Sequence, residues 1–404
     1  MKVEDGLKLD FSDVLIKPRR TLAYSRNSVN LNRDFSFMYS PKKWEGIPIF
    51  AANMDTTGTF AMAKALQQYK LVTCLHKQYS YELVCEFFLN NQLDYDYTWV
   101  STGITDKDLE RLKKILQHCP NVNICVDVAN GYNQDFVEKI AYIRSLSPES
   151  IIMAGNVCTA EMAQELVIGG KADIVKVGIG PGSVCTTRLV SGIGYPQLSA
   201  IMNCANTVHG LNSGPKRMAL ICADGGCVYS GDIAKAFGGD ADFCMLGGMF
   251  SGCEENEGEW EYHIDREDKY ERYNLYEHSD NFITALVKSG GIVKFPNKQH
   301  MDSPHVLVPK YSKQKKSLKF HGMSSSKAQG ANLAKHRSSE GKEVHIPYKG
   351  MVSEVLDGDN GILGGLRSAC SYVGVKELKN FADAVTFIRV NNQHNTVYGT
   401  GLEK

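Results

Sequence analysis

The residues of this 404-residue chain best placed to do chemistry lie between Val175 and Ala200. A short apolar run enters Gly178-Ile179-Gly180-Pro181-Gly182, and Cys185 follows three residues after the last glycine. Alternate glycines let the backbone adopt positive φ and come close to a ligand or ion, and Pro181 stiffens the turn between two of them. A cysteine in such a loop faces backbone dipoles that stabilise a thiolate, the reactive form. The reading is a nucleophile. A dinucleotide loop fits less well, because the Rossmann spacing needs its third glycine one residue later and a helix at once. Here Pro181, Ser183, Thr186 and Thr187 read as more loop. A buried structural thiol is the usual fate of a free cysteine, and the flanking residues argue against it.

Other polar clusters follow short apolar runs in the same way: Asn53-Met54-Asp55, His76-Lys77, Asp127 with Asn130-Gly131, Gly155-Asn156, Asp224-Gly225-Gly226 and Gly247-Gly248. The runs themselves are Ile47–Ala52, Leu71–Leu75, Thr98–Ser101, Val122–Val128, Ile151–Ala154, Ile174–Val177, Met218–Cys222 and Phe243–Leu246. Fully buried parallel strands read as continuous apolar runs. Helical stretches intervene at Phe60–Gln68, Asp106–Gln117, Gln134–Ser145, Thr159–Gly169 and Asp232–Gly238, and Ile362–Tyr372 resumes the pattern near the end. Eight such units predict an α/β chain folded as a (β/α)₈ TIM barrel. Asn-Gly and Asp-Gly alone would be ordinary turns, but clusters at the same end of successive units converge on one mouth, where barrel active sites are built.

Composition narrows the class. Hydrophobic residues make up 43% and charged residues 22%, enough for a large core. The 45 basic and 45 acidic side chains balance, which argues against nucleic acid or an anionic membrane as the main partner. The twelve cysteines are scattered, with no Cys-x-x-Cys pair, as in a reduced, cytoplasmic protein without disulfides or zinc. The N-terminus lacks a signal-peptide core, and no apolar run is long enough for a membrane span.

After the eighth run the pattern breaks over roughly a hundred residues, Ser251–Gly350, too long for an ordinary connection. Residues 254–317 read as a charged insertion within a single catalytic barrel domain spanning 1–404. The insertion has an acidic part, Glu254–Glu271, and a basic part with Lys310, Lys313, Lys315, Lys316 and Lys319. A solvated excursion is the simplest account of it. Residues 318–350, with Gly322-Met323-Ser324-Ser325 and Ser338-Ser339-Glu340-Gly341, read as an active-site lid.

With these residues in hand, the chain resembles the IMP dehydrogenase/GMP reductase family, on its reductase side. The resemblance is carried by Leu9-Asp10-Phe11-Ser12-Asp13, Ala52-Asn53-Met54-Asp55, Asp127-Val128-Ala129-Asn130-Gly131 and the Gly178–Ser199 segment. Asp224-Gly225-Gly226-Cys227, Met245-Leu246-Gly247-Gly248-Met249 and Leu363-Gly364-Gly365-Leu366-Arg367-Ser368 extend it over nearly the whole chain outside about Glu254–Ser317.

The resemblance implies NADPH-dependent reductive deamination of GMP to IMP and ammonia, in a homotetramer. It implies that Cys185 attacks purine C2, that Thr187 and Glu340 move protons, and that Lys77 contacts the cofactor and helps ammonia depart. Ser183, Gly225, Gly226, Gly247, Gly248 and Ser324 would cradle the nucleotide phosphate, and Asp224 would take the ribose hydroxyls. Gly322, Met323, Arg337, Ser339, Glu340 and Gly341 would meet the substrate from the lid. NADPH would lie across Lys77, Asp127, Ala129, Asn130 and Gly180. Ser25 and Arg26 of a neighbouring subunit, with Ser368, would hold its adenosine end. Carbonyls of Gly180, Gly182 and Cys185 would hold a monovalent cation, K⁺ foremost. The chain departs from the reductase pattern in a short Ser326–Ser339 segment, where His336 stands at a tyrosine's place.

Two other readings stay open: an IMP dehydrogenase, and a purine-nucleotide-binding protein that has lost turnover. Only about twenty residues separate Leu75 from Thr98, leaving no room for the regulatory insert usual in dehydrogenases. Arg337 is followed by Ser338 rather than by the tyrosine with which dehydrogenases activate water.

Overall fold

The computed structural model describes residues 3–21, 25–91, 93–213, 216–274, 277, 279–288, 292–294, 304–322 and 341–391. Every expected apolar run carries a strand: β1 Ile49–Ala51, β2 Val72–Leu75, β3 Thr98–Thr102, β4 Asn123–Asp127, β5 Ile152–Val157, β6 Ile174–Val177, β7 Leu220–Asp224 and β8 Phe243–Leu246. All eight pair in parallel, and the Cys244↔Ile49 register between β8 and β1 closes the barrel. The helices that follow them are α1 Phe60–Leu66, α2 Tyr81–Asn90, α3 Asp106–His118, α4 Gln134–Leu146, α5 Ala160–Ile168, α6 Gln197–Gly210, α7 Ser230–Gly238 and α8 Ile362–Val373. Side-chain caps start several of them: the Thr59, Ser80 and Thr105 hydroxyls accept from Met62 N, Leu83 N and Asp108 N.

Strand parity sorts the core into two clusters. Alternate residues such as Phe50, Cys74, Cys125, Ile174, Cys222 and Phe243 fill the barrel interior. Their neighbours Ala51, Leu75, Val126, Val175, Ile221 and Cys244 pack outward against the helices. A hairpin of Arg33–Ser36 with Lys43–Gly46 stops the N-terminal end, where Phe35 and Trp44 pack 4.7 and 5.2 Å from the Phe243 ring. Ion pairs fix the strand starts there. Arg144 meets Asp173 just before β6, and His209 sits between Asp240 and Asp242 just before β8.

Two expectations change. Thr187 does not continue the loop; it opens a one-turn helix, Thr187–Ser191, closed by Gly192 at φ +72°. The charged insertion is also more than a solvated excursion. The chain divides into two compact units, 1–258 with 319–404, and 259–318. In the second, Trp260–Asn274 pairs antiparallel with the strand that begins at His305, Ile292–Lys294 adds to the same strand, and a helix spans Asp280–Lys288. Lys313 and Lys315 lie 3.7 and 4.4 Å over the Tyr262 and Trp260 rings, covering apolar surface with their stems. Among the described residues, no helix is long and apolar enough to cross a membrane.

Candidate active site

The C-terminal ends of the strands open into a cavity of ≈ 650 Å³, within the roughly 300–1,000 Å³ of small-ligand clefts. Ser183 and Cys185 line it from the β6 loop, Thr187 from the one-turn helix that follows, Asp224, Gly225 and Gly226 from the end of β7 and the turn after it, and Gly247 and Gly248 from the turn after β8. Lys77, Asp127, Ala129, Gly180 and Gly182 share the same cavity.

The loop after β6 is held where it leaves the barrel. Gly178 has φ +152°, and a Cβ there would fall 2.1 Å from the Asp224 carbonyl oxygen. Gln197 Nε2, from the start of α6, donates to the carbonyls of Val177 at 2.9 Å and Asp224 at 3.2 Å, tying β6 to β7. Beyond it, Arg188 covers Gly180, whose φ is +80°, and donates to Asp10 at 2.7 and 3.4 Å and to the Tyr195 carbonyl at 2.7 Å. The sequence run around Asp10 is thus the clamp of the cysteine loop.

Cys185 is half-buried, and its Sγ lies 3.2 Å from Thr187 Oγ1. Its amide donates to the Gly182 carbonyl at 3.0 Å. Cys185 pairs as an isolated antiparallel bridge with Gly341, and Lys342 N donates to the Val184 carbonyl at 2.9 Å. Gly322 N donates to the Lys342 carbonyl at 3.3 Å, so residues 322 and 341 both meet at the cysteine loop. Met323, Ser324, Arg337, Ser339 and Glu340, with His336, lie outside the described residues.

On the facing wall, Gly225 and Gly226 have φ of +86° and +87°, and Ser183 Oγ closes to 3.5 Å of where a Gly248 Cβ would stand. Bare backbone beside one hydroxyl is the usual make-up of a phosphate cradle. Below it, Lys176 Nζ bridges Asp127 Oδ1 at 2.5 Å and Asp224 Oδ2 at 2.7 Å. Asn156 Nδ2 adds bonds of 2.8 Å to Asp224 Oδ2 and to the Gly178 carbonyl. Burial by itself lowers the Lys176 pKa, but Asp127 and Asp224 outweigh it and hold the ammonium well above its ordinary value. Burial likewise raises Asp127, and the Lys176 charge overrides it and holds the carboxylate low. His76, stacked 3.8 Å from Tyr79, is pushed down to about 4 by burial and is neutral at pH 7.

Some expected residues stand elsewhere. Asn130 does not line the cavity; its Oδ1 accepts from Tyr132 N at 3.0 Å and shapes the turn after β4. Ser25 and Arg26 begin a one-turn helix that packs against α8, the helix of Ser368, and none of the three reaches the cavity of its own chain. Lys176 is the site residue that reading the motifs misses. Its signal was available: a lysine inside a fully buried parallel strand must be paired.

A family model described as "IMP dehydrogenase / GMP reductase domain" matches residues 8–274 and 301–396, reaching farther into the insertion than the motifs do. A protein named GMP reductase from Tolumonas auensis is 44% identical over 405 aligned positions, covering 99% of each chain. Proteins of the same name from Shewanella pealeana and Escherichia coli are each 43% identical, covering 99% and 98% of this chain and 99% of their own. By both measures this chain belongs to the IMP dehydrogenase/GMP reductase family.

Proposed function

We propose that this chain catalyses GMP + NADPH + H⁺ → IMP + NH₃ + NADP⁺. The observation that carries the reading is Cys185 Sγ beside Thr187 Oγ1 at the mouth of a nucleotide-sized cavity, in a chain 43–44% identical to proteins named GMP reductase.

Cys185 sulfur attacks C2 of the guanine ring, the C2–NH₂ bond breaks, and a thioimidate links sulfur to C2. This divides one difficult substitution into two easier steps. Thr187, with Glu340 from the lid, carries the proton that the departing amine needs. Ser183, Gly225, Gly226, Gly247, Gly248 and Ser324 receive the phosphate, and Asp224 accepts from the ribose hydroxyls. The lid of 318–350 would close over the base through Gly322, Met323, Arg337, Ser339 and Gly341.

A dinucleotide would enter where the cavity runs on from Gly180 to Asp127, Ala129 and Lys77, with Lys77 Nζ passing 3.2 Å from where a Gly103 Cβ would stand. NADPH, when bound, would supply a hydride to C2; the C2–Sγ bond then breaks, returning the Cys185 thiolate and releasing IMP. Lys77 would steady that cofactor and the departing ammonia. Ser25 and Arg26 of a neighbouring copy, together with Ser368, would take the adenosine end, in keeping with a homotetramer. An arginine beside a 2′-phosphate selects NADPH over NADH. Carbonyls of Gly180, Gly182 and Cys185 make a neutral, all-oxygen donor set, which suits K⁺ better than zinc.

The test is loss of NADPH absorbance on adding GMP, run beside NAD⁺ with IMP. Oxidation that depends on GMP supports the reading. Turnover only with IMP and NAD⁺, or nucleotide binding without turnover, would overturn it.

A further inference from the structure

Lys176 has no part in the chemistry above, yet it sits at the centre of the site. Parity along β6 places Ile174 in the barrel interior and Val175 and Val177 outside, so Lys176 points inward one layer above Ile174. The same parity turns Asp127 inward above Cys125 and Asp224 inward above Cys222. At 2% exposure, Lys176 is among the most buried charges in the chain. A buried ammonium persists only when its geometry is good and its hydrogen bonds are satisfied, and Asp127 and Asp224 meet that demand at 2.5 and 2.7 Å.

The two carboxylates face different ligands. On the reading proposed above, on which this inference rests, Asp224 serves the nucleotide ribose and Asp127 the dinucleotide. We propose that Lys176 is a positioning residue that couples these two half-sites, holding both carboxylates on one Nζ. Whatever fixes one carboxylate then fixes the ammonium and, through it, the other. Asn156 extends the link, because its Nδ2 holds both Asp224 Oδ2 and the Gly178 carbonyl at the base of the cysteine loop. Lys176 also halves the negative charge that two anionic ligands would otherwise meet. A lysine that only braced the barrel would leave the affinity of one ligand independent of the other.

The experiment measures GMP affinity by calorimetry on the full chain, with and without saturating NADP⁺. It compares wild type, Lys176→Met, Lys176→Arg and Asp127→Asn. Wild type should bind GMP about tenfold tighter with NADP⁺ present, a typical coupling between sites. Lys176→Met should lose that factor, and Lys176→Arg should recover part of it. Asp127→Asn, altered on the dinucleotide wall, should weaken GMP severalfold even without dinucleotide, because the ammonium moves onto Asp224. No coupling in wild type, full coupling in a folded Lys176→Met, or unchanged GMP affinity in Asp127→Asn would overturn the proposal. Should Lys176→Met fail to fold, Asp127→Asn decides. A wild-type chain that binds no GMP would instead overturn the GMP reading itself.

Discussion

Cys185 Sγ and Thr187 Oγ1 stand 3.2 Å apart, the sulfur in a glycine loop and the hydroxyl on the first residue of a one-turn helix. The pairing joins a loop residue to a helical one. The loop lets sulfur reach a ligand, while Arg188 in the same turn is clamped to Asp10 and the Tyr195 carbonyl.

Replacing the sulfur tests the nucleophile. Cys185→Ser keeps the shape of the pocket, so GMP affinity should stay within about threefold, while turnover falls by about 10³-fold or more. Calorimetry and the NADPH assay on one preparation check both halves. Normal turnover in this variant would remove the covalent route.

Thr187→Val keeps the branched shape and removes the hydroxyl. Proton transfer by a placed side chain is worth about 10²–10⁴-fold, so kcat should fall within that range with GMP affinity little changed. An equal rise in KM with unchanged kcat would make Thr187 a binding residue instead.

Backbone demands at the loop differ from glycine to glycine. Gly178→Ala forces a Cβ to 2.1 Å from the Asp224 carbonyl at φ +152°, whereas Gly192→Ala at φ +72° meets nothing within 4 Å. Chemical denaturation should show a loss of about 3 kcal/mol or more for the first and about 1 kcal/mol for the second. Similar losses at both positions would contradict the close β6–β7 contact.

His209 supplies a pH signature remote from the chemistry. Burial lowers its pKa, but bonds of 2.8 and 2.7 Å to Asp240 and Asp242 raise it to about 9. A pKa raised above the unfolded value of 6.5 contributes stability that is complete below pH 6.5 and is lost as pH rises through about 9. The amount is on the order of 3 kcal/mol. Melting temperature should therefore drop between pH 6.5 and 9 in wild type, and His209→Gln should flatten that interval. A slope that survives in the variant would place the titration elsewhere.

The barrel was readable because most of its buried parallel strands are centred on apolar runs, as in Ile49–Ala51 and Phe243–Leu246. Asp224 and the glycine pairs could be placed because they stand where those runs end, and Cys185 because it closes the glycine loop that leaves Ile174–Val177. Helices Tyr81–Asn90 and Gln197–Gly210 were harder. Apolar residues in the first spread onto an exposed face at Leu83 and Leu89, and Pro196 precedes the second without a capping side chain. Lys176 was hidden in its strand, since its partners lie 49 and 48 residues away and no local pattern pairs them. In the insertion, charge masked a period-two alternation of Trp260, Tyr262 and Ile264 with Glu261 and His263, which is the mark of an antiparallel strand.

Covalent reductive deamination has a fixed stoichiometry, which purified protein with GMP and NADPH will show directly. Wild type should give one IMP and one ammonia for each NADPH oxidised, and Cys185→Ser should give none of the three changes over the same interval. NADPH loss without matching ammonia, or product formed by the Cys185→Ser variant, would contradict that chemistry.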